Sequence, residues 1–214
     1  PDSVAVIGDN AFNHCYGLKS ILFMGNPPEP GQSVFASCNA TLYRLRSQSS
    51  WGQTFGELPV SIFPYDFTFA DGRVTIDAYT SESSDPVVVP STISGQPVVQ
   101  IGDAAFFGKT NVTCITVPSG VTNIGFAAFA ACSRLHTVVL GSDVDLIDNW
   151  AFYRCTSLRE VYARGNAPAL GVSVFTESPA TIYYLPGASG WGDSYGGRPT
   201  QLIPYVYTVL NDQI

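Results

Sequence analysis

Hydrophobic positions recur along the chain at a fixed step. Ile101-Gly102-Asp103-Ala104-Ala105-Phe106 returns as Ile124-Gly125-Phe126-Ala127-Ala128-Phe129, and again as Ile147-Asp148-Asn149-Trp150-Ala151-Phe152, 23 residues on each time. One more step lands on Phe175, and Phe12 and Phe35 share the spacing near the start. A second set follows each aromatic: Cys132, Leu135, Val138 and Leu140 after Phe129; Cys155, Leu158, Val161 and Ala163 after Phe152; Cys15, Leu18, Ile21 and Phe23 after Phe12. The closing apolar-x-apolar alternation has the period of a strand with one buried face. The Ala-Phe-x-x-Cys portion predicts a single tight helical or 3-10 turn. One strand and one turn make a coil too small to bury its own apolar face, so successive coils must stack.

Stacking predicts ladders. Phe106, Phe129, Phe152 and Phe175 should form an aromatic column, with Leu135 on Leu158 and Val138 on Val161 beside it. Strands of adjacent coils should lie about 4.8 Å apart in a parallel sheet. Val87-Val88-Val89-Pro90 matches Ile115-Thr116-Val117-Pro118 as another such strand, followed by a longer loop through Ser94-Gly95-Gln96-Pro97, and Val74-Thr75-Ile76 predicts one more. Trp51 and Trp191 sit in Gly-rich loops and are expected to plug the seam between larger units.

Those larger units come from a second period. Shifted by 140 residues, positions 7–65 match positions 147–205 at 23 of 59 sites, including Gly25-Asn26 on Gly165-Asn166, Ser33-Val34-Phe35 on Ser173-Val174-Phe175 and Trp51-Gly52 on Trp191-Gly192. Residues 1–65 therefore read as the later part of one unit and 66–205 as a complete unit, with coils near 87–106, 115–129, 138–152 and 161–175. Residues 36–65 and 176–205 break the pattern and read as irregular, and 206–214 read as the start of a further unit. The expectation is a window within a tandem array.

The cycle I-G-x-x-A-F-x-x-C-x-x-L-x-x-V-x-Φ-P, clearest from Ile101 to Leu140, resembles the BspA-like leucine-rich-repeat family of bacterial and protist surface proteins. Tyr183-Tyr184-Leu185-Pro186-Gly187 and the opening Asp71-Gly72-Arg73-Val74 look like recurrent pieces of its units. The resemblance implies an α/β, β-dominated leucine-rich-repeat solenoid, with a parallel sheet on one face and short helical or 3-10 turns on the other. It also implies adhesion to host or matrix ligands. Lys109 departs from the pattern, standing where the cycle has Cys.

Composition narrows the function. The chain is 45% hydrophobic and only 13% charged, about half the usual charge of a soluble domain. It is too apolar to be disordered, yet no uninterrupted apolar run is long enough to span a membrane. A net charge of −7 and a pI near 4.6 give no basic stripe for nucleic acid. Ser, Thr, Asn, Gln and Gly must wet much of the surface, which suits an extracellular or cell-surface protein.

The candidate chemistry is sparse. Cys15, Cys38, Cys114, Cys132 and Cys155 are odd in number and lack Cys-x-x-Cys spacing, which argues against a disulfide framework and a zinc site. Cys15, Cys132 and Cys155 share one repeat position, where a small side chain can bond the backbone of the next coil; a Cys132–Cys155 bridge is a minor alternative. His14 and His136 are the only histidines, and no G-x-S-x-G motif exists, so no catalytic residue is assigned. Asp143, Asp145 and Asp148 form a D-x-D-x-x-D run that departs from the EF-hand spacing and reads as a solvated loop. Asn39-Ala40-Thr41 and Asn111-Val112-Thr113 fit the glycosylation pattern.

Binding is better placed on the open sheet. Strand alternation should point Thr116, Val139 and Tyr162 outward in one column, with Cys114, Thr137 and Glu160 in the next and His136 beside them. Leu22 stands where the second unit has Tyr162, and Ser20 where it has Glu160, while the core columns are kept. The expected function is non-catalytic binding of a protein or glycan ligand, without a cofactor. The alternative is a spacer or fibre whose contacts run unit to unit, with end-to-end self-association through uncapped coils.

Overall fold

The computed structural model describes residues 2–84 and 86–203. The expected start of a further unit at 206–214 lies outside the described residues, as do Pro204 and Tyr205. The chain divides into two compact units, Pro1–Asp66 and Phe67–Ile214. Each is built from short strands, and no helix occurs among the described residues.

In the second unit the apolar-x-apolar segments form one sheet. Val87–Val88, Cys114–Thr116, Thr137–Leu140, Glu160–Ala163, Thr181–Tyr184 and Arg198–Leu202 lie side by side, all parallel. The register is one coil per strand: Val138 faces Val161, and Val161 faces Ile182. A second parallel sheet runs through Arg73–Tyr79, Gln96–Ile101, Asn123–Ile124, Leu146–Ile147 and Ala169–Leu170. It is built on the Ile of the Ile-Gly step, a two-residue strand too short to betray itself by alternation. Val74-Thr75-Ile76 is the middle of Arg73–Tyr79, and the long loop after Val87–Val88 is an antiparallel hairpin, Thr92–Ile93 on Gln96–Ile101. Ser94 and Gly95 both take positive φ at its tip, 50° and 79°, as the favoured two-residue hairpin turn requires.

Between the sheets lies the core. Phe106, Phe129, Phe152 and Phe175 are almost wholly buried. Their rings stack coil on coil, with centroids 4.9, 5.1 and 5.4 Å apart, and Tyr79 extends the column 5.1 Å beyond Phe106. Leu135, Leu158, Val138 and Val161 are fully buried beside them, so both aliphatic ladders form as expected. Close approach of coils explains one glycine: a Cβ on Gly165 would lie 2.1 Å from the Ser142 carbonyl oxygen.

The third side of each coil departs from the expected helical or 3-10 turn. Residues two before and two after each lattice Phe have positive φ: Ala127 and Ala131 around Phe129 at 50° and 60°, Trp150 and Arg154 around Phe152 at 59° and 57°. Alternating hand stops the chain from winding into a helix. It also turns every second N–H toward the neighbouring coil. Ala127, Phe129 and Ala131 donate to the carbonyls of Asn149, Ala151 and Tyr153 at 2.9, 2.8 and 2.8 Å. A left-handed residue costs about 1–2 kcal/mol, and each inter-coil hydrogen bond returns about 1 kcal/mol net.

Of the segment expected to be irregular, 176–205, the described residues 176–203 continue the solenoid. Thr181–Tyr184 and Arg198–Leu202 add two parallel strands, and Ser194–Tyr195 closes an antiparallel hairpin. The first unit has the same elements 140 residues earlier: Ser20–Phe23, Thr41–Arg44, Thr54–Phe55 and Leu58–Ile62. Trp51 and Trp191 each make contacts within their own unit. The Trp51 Nε1–H donates to Gly25 O at 3.0 Å and its ring meets Phe23 and Phe55. The Trp191 Nε1–H donates to Gly165 O at 3.1 Å and its ring stacks on Tyr184.

Candidate ligand-binding site

The parallel register sets the outward side chains in straight columns. Thr116 pairs with Val139, Val139 with Tyr162, and Tyr162 with Tyr183. Cys114, Thr137, Glu160 and Thr181 form the neighbouring column. Their inward neighbours Val138, Val161 and Ile182 are buried, whereas the outward residues stay partly accessible. The two expected columns are therefore present.

The columns hold specific contacts. Tyr162 and Tyr183 stack at 5.1 Å and 21°. Burial first, then the adjacent Glu160 charge and a hydrogen bond to Glu160, push the Tyr162 phenol above its ordinary value. The Thr137 hydroxyl donates to Glu160 Oε2 at 3.5 Å. The result is a strip of mixed polarity that carries the stacked Tyr162–Tyr183 pair beside Val139, Thr137 and Glu160.

Two site residues differ from the expectation. His136 lies just ahead of Thr137–Leu140, exposed, with Nδ1 2.6 Å from Arg134 O; it borders the columns without joining them. Tyr183 continues the Tyr162 column and escapes the 23-residue lattice because it follows Tyr162 by 21 positions.

The other candidates are structural. Cys132 Sγ donates to Phe106 O and Cys155 Sγ to Phe129 O, both at 3.0 Å, and Ser178 Oγ fills the same role toward Phe152 O. The bonded backbone thus belongs to the preceding coil, not the following one. Both cysteines are free thiols. Burial pushes Cys132 up to about 12 and raises Cys155 further. Lys109, in the same column, instead reaches Glu82 at 2.9 Å. Asp143 Oδ2 accepts the Gly120 N–H at 3.0 Å, and Asp148 Oδ1 accepts the Asn149 N–H at 2.6 Å. These carboxylates tie backbone, and no metal-holding group of acidic, His or Cys residues exists among the described residues. Asn111 donates its amide to the Ser81 and Ser83 carbonyls at 3.2 and 2.6 Å, whereas Asn39 is exposed.

Comparison with known proteins agrees with this architecture. Six copies of the BspA type leucine rich repeat region match residues 1–54 and 78–188, and the chain belongs to that family. Among solved structures it is similar to a leucine-rich repeat protein from Bacteroides capillosus, at 29% identity and a TM-score of 0.51, covering 58% of this chain and 96% of that one. It is also similar to a leucine rich repeat protein of T. pallidum, with 23% identity, a TM-score of 0.49 and coverage of 56% and 68%. A third, from Bacteroides ovatus, has 20% identity and a TM-score of 0.45, covering 95% of this chain and 46% of that chain. No curated protein matches significantly.

Proposed function

We propose that the chain is a non-catalytic binding module of an extracellular or cell-surface protein, taking a protein or glycan ligand on the outward strand face of its second unit. The observation that carries this reading is the stacked Tyr162–Tyr183 pair, held partly accessible in register with Val139 and flanked by Glu160 and Thr137. Tyrosine presents a rigid, amphipathic surface and is enriched at interfaces. Open solenoid sheets are long binding surfaces. Family membership and the low charge content support an adhesive surface role.

A catalytic reading has less support. The first unit's surface depression is lined by residues such as Gly31, Val34, Phe35 and Glu57, with no histidine or thiol. The chain should bind saturably to some members of an array of glycans and extracellular-matrix proteins. Absence of binding to every member would overturn the proposal and favour a spacer or fibre role, with contacts from unit to unit.

A further inference from the structure

The turn side of the second unit carries a second, unrelated surface. Phe126, Trp150 and Val172 come from three successive coils and are 40%, 46% and 69% exposed. The Phe126 and Trp150 rings lie 5.3 Å apart, and Tyr153 sits 6.2 Å from Trp150. From this arrangement we infer a binding site for a neutral, extended oligosaccharide on the turn face, centred on Trp150.

Trp150 differs from the other two tryptophans. The indole N–H groups of Trp51 and Trp191 are satisfied by backbone carbonyls. Among the described residues, the Trp150 Nε1–H has no acceptor, and its ring is open to solvent. Its backbone is also costly. At φ 59° it occupies the left-handed position that other coils fill with Asn10, Ser33, Ala104, Ala127 and Ser173. A bulky residue there is a true outlier, whereas Asn tolerates that conformation. Contacts with Phe126 and Tyr153 offset part of that strain, yet the side chain stays 46% exposed, and strain kept at an exposed aromatic where a smaller residue would serve marks a candidate functional position.

The surroundings select the ligand. Arg154, the cation beside Tyr153, is already paired with Glu177 at 3.1 Å and lies 5.2 Å over the Tyr153 ring. The chain as a whole carries −7. An anionic glycan would meet a neutralised cation within a negative field, so a neutral one fits. The exposed apolar side chains come from three successive coils, a span of only about 10 Å at about 4.8 Å per step, which is the length of about two sugar residues. Sugar rings lay their C–H faces on aromatic rings, and the ring-to-ring step here is of the order of the repeat in an extended β-linked chain. Polar groups stand at the rim. Asn149 Oδ1 accepts the Val172 N–H at 2.5 Å, leaving its amide N–H groups for a hydroxyl, and the Trp150 indole N–H offers another donor.

The test is calorimetric titration of the whole chain with cellohexaose, xylohexaose and chitohexaose, beside a sulfated hexasaccharide. Trp150→Asn restores the residue of the equivalent Asn10 and should fold with unchanged or higher thermal stability. The expected result is saturable binding of at least one neutral hexasaccharide, weakened tenfold or more by Trp150→Asn and by Tyr153→Asn, and untouched by Tyr162→Ser on the opposite sheet. The sulfated probe should bind no more tightly. No binding of any neutral probe, binding indifferent to Trp150→Asn, or a Trp150→Asn effect seen only on self-association in sedimentation would each overturn the proposal.

Discussion

Phe129 and Phe152 lie face to face across adjacent coils, with centroids 5.1 Å apart and ring planes within 6°. Each is also stacked on its other side, Phe129 on Phe106 and Phe152 on Phe175. Removing a fully buried Phe typically costs about 3–5 kcal/mol, and an aromatic pair adds about 0.5–1.5 kcal/mol. Phe129→Ala should therefore lower stability toward the upper end of that range. Phe12→Ala, at a partly accessible ring stacked on Phe35 alone in the column, should cost clearly less. Urea unfolding of the two variants checks the order; equal losses would argue against a continuous ladder.

Gly165 is fixed by space rather than by flexibility. Its Cβ position lies 2.1 Å from backbone oxygen, whereas a Cβ at Gly17 meets nothing within 4 Å. Gly165→Ala should destabilise by about 1–3 kcal/mol, as overpacking does. Gly17→Ala should be neutral or stabilising by up to about 1 kcal/mol, through the unfolded chain. Thermal melts compare them directly.

The buried thiols give a chemical and a pH prediction. Cys132 rises from its ordinary 9.0 to about 12 because burial disfavours the thiolate. A thiol reagent at pH 8 should leave Cys132 and Cys155 unmodified in the folded chain and label both in denaturant. The raised value means that the folded state holds the proton longer. The stability linked to it is complete below pH 9 and is lost as pH climbs toward 12. Alkaline unfolding should begin in that window and shift upward in Cys132→Ser, since the Ser178 hydroxyl already makes the equivalent bond to Phe152 O.

The ladders were legible because they are written in side chains: Phe at every step, then Leu and Val at fixed offsets. The turn face was not, because Asn10, Ser33, Ala104 and Trp150 share a backbone conformation and no side-chain type. Residues 176–205 looked irregular because the step shortens there, placing Tyr183 off the lattice, although Gly196 and Gly197 mark the hairpin. On the strand face, Thr116, Val139, Glu160 and Tyr162 followed from alternation alone. Tyr183 needed the observed register.

The strand face is the central claim, and one comparison tests it. The affinity of the chain for its best partner on the glycan and matrix-protein array should be measured beside the Val139→Ser, Glu160→Ala, Tyr162→Ser triple variant. These are outward positions, so the variant should fold, as circular dichroism can verify. The account predicts saturable binding by the original chain and a loss of at least tenfold in the triple variant. Equal affinity in the two folded proteins would contradict it.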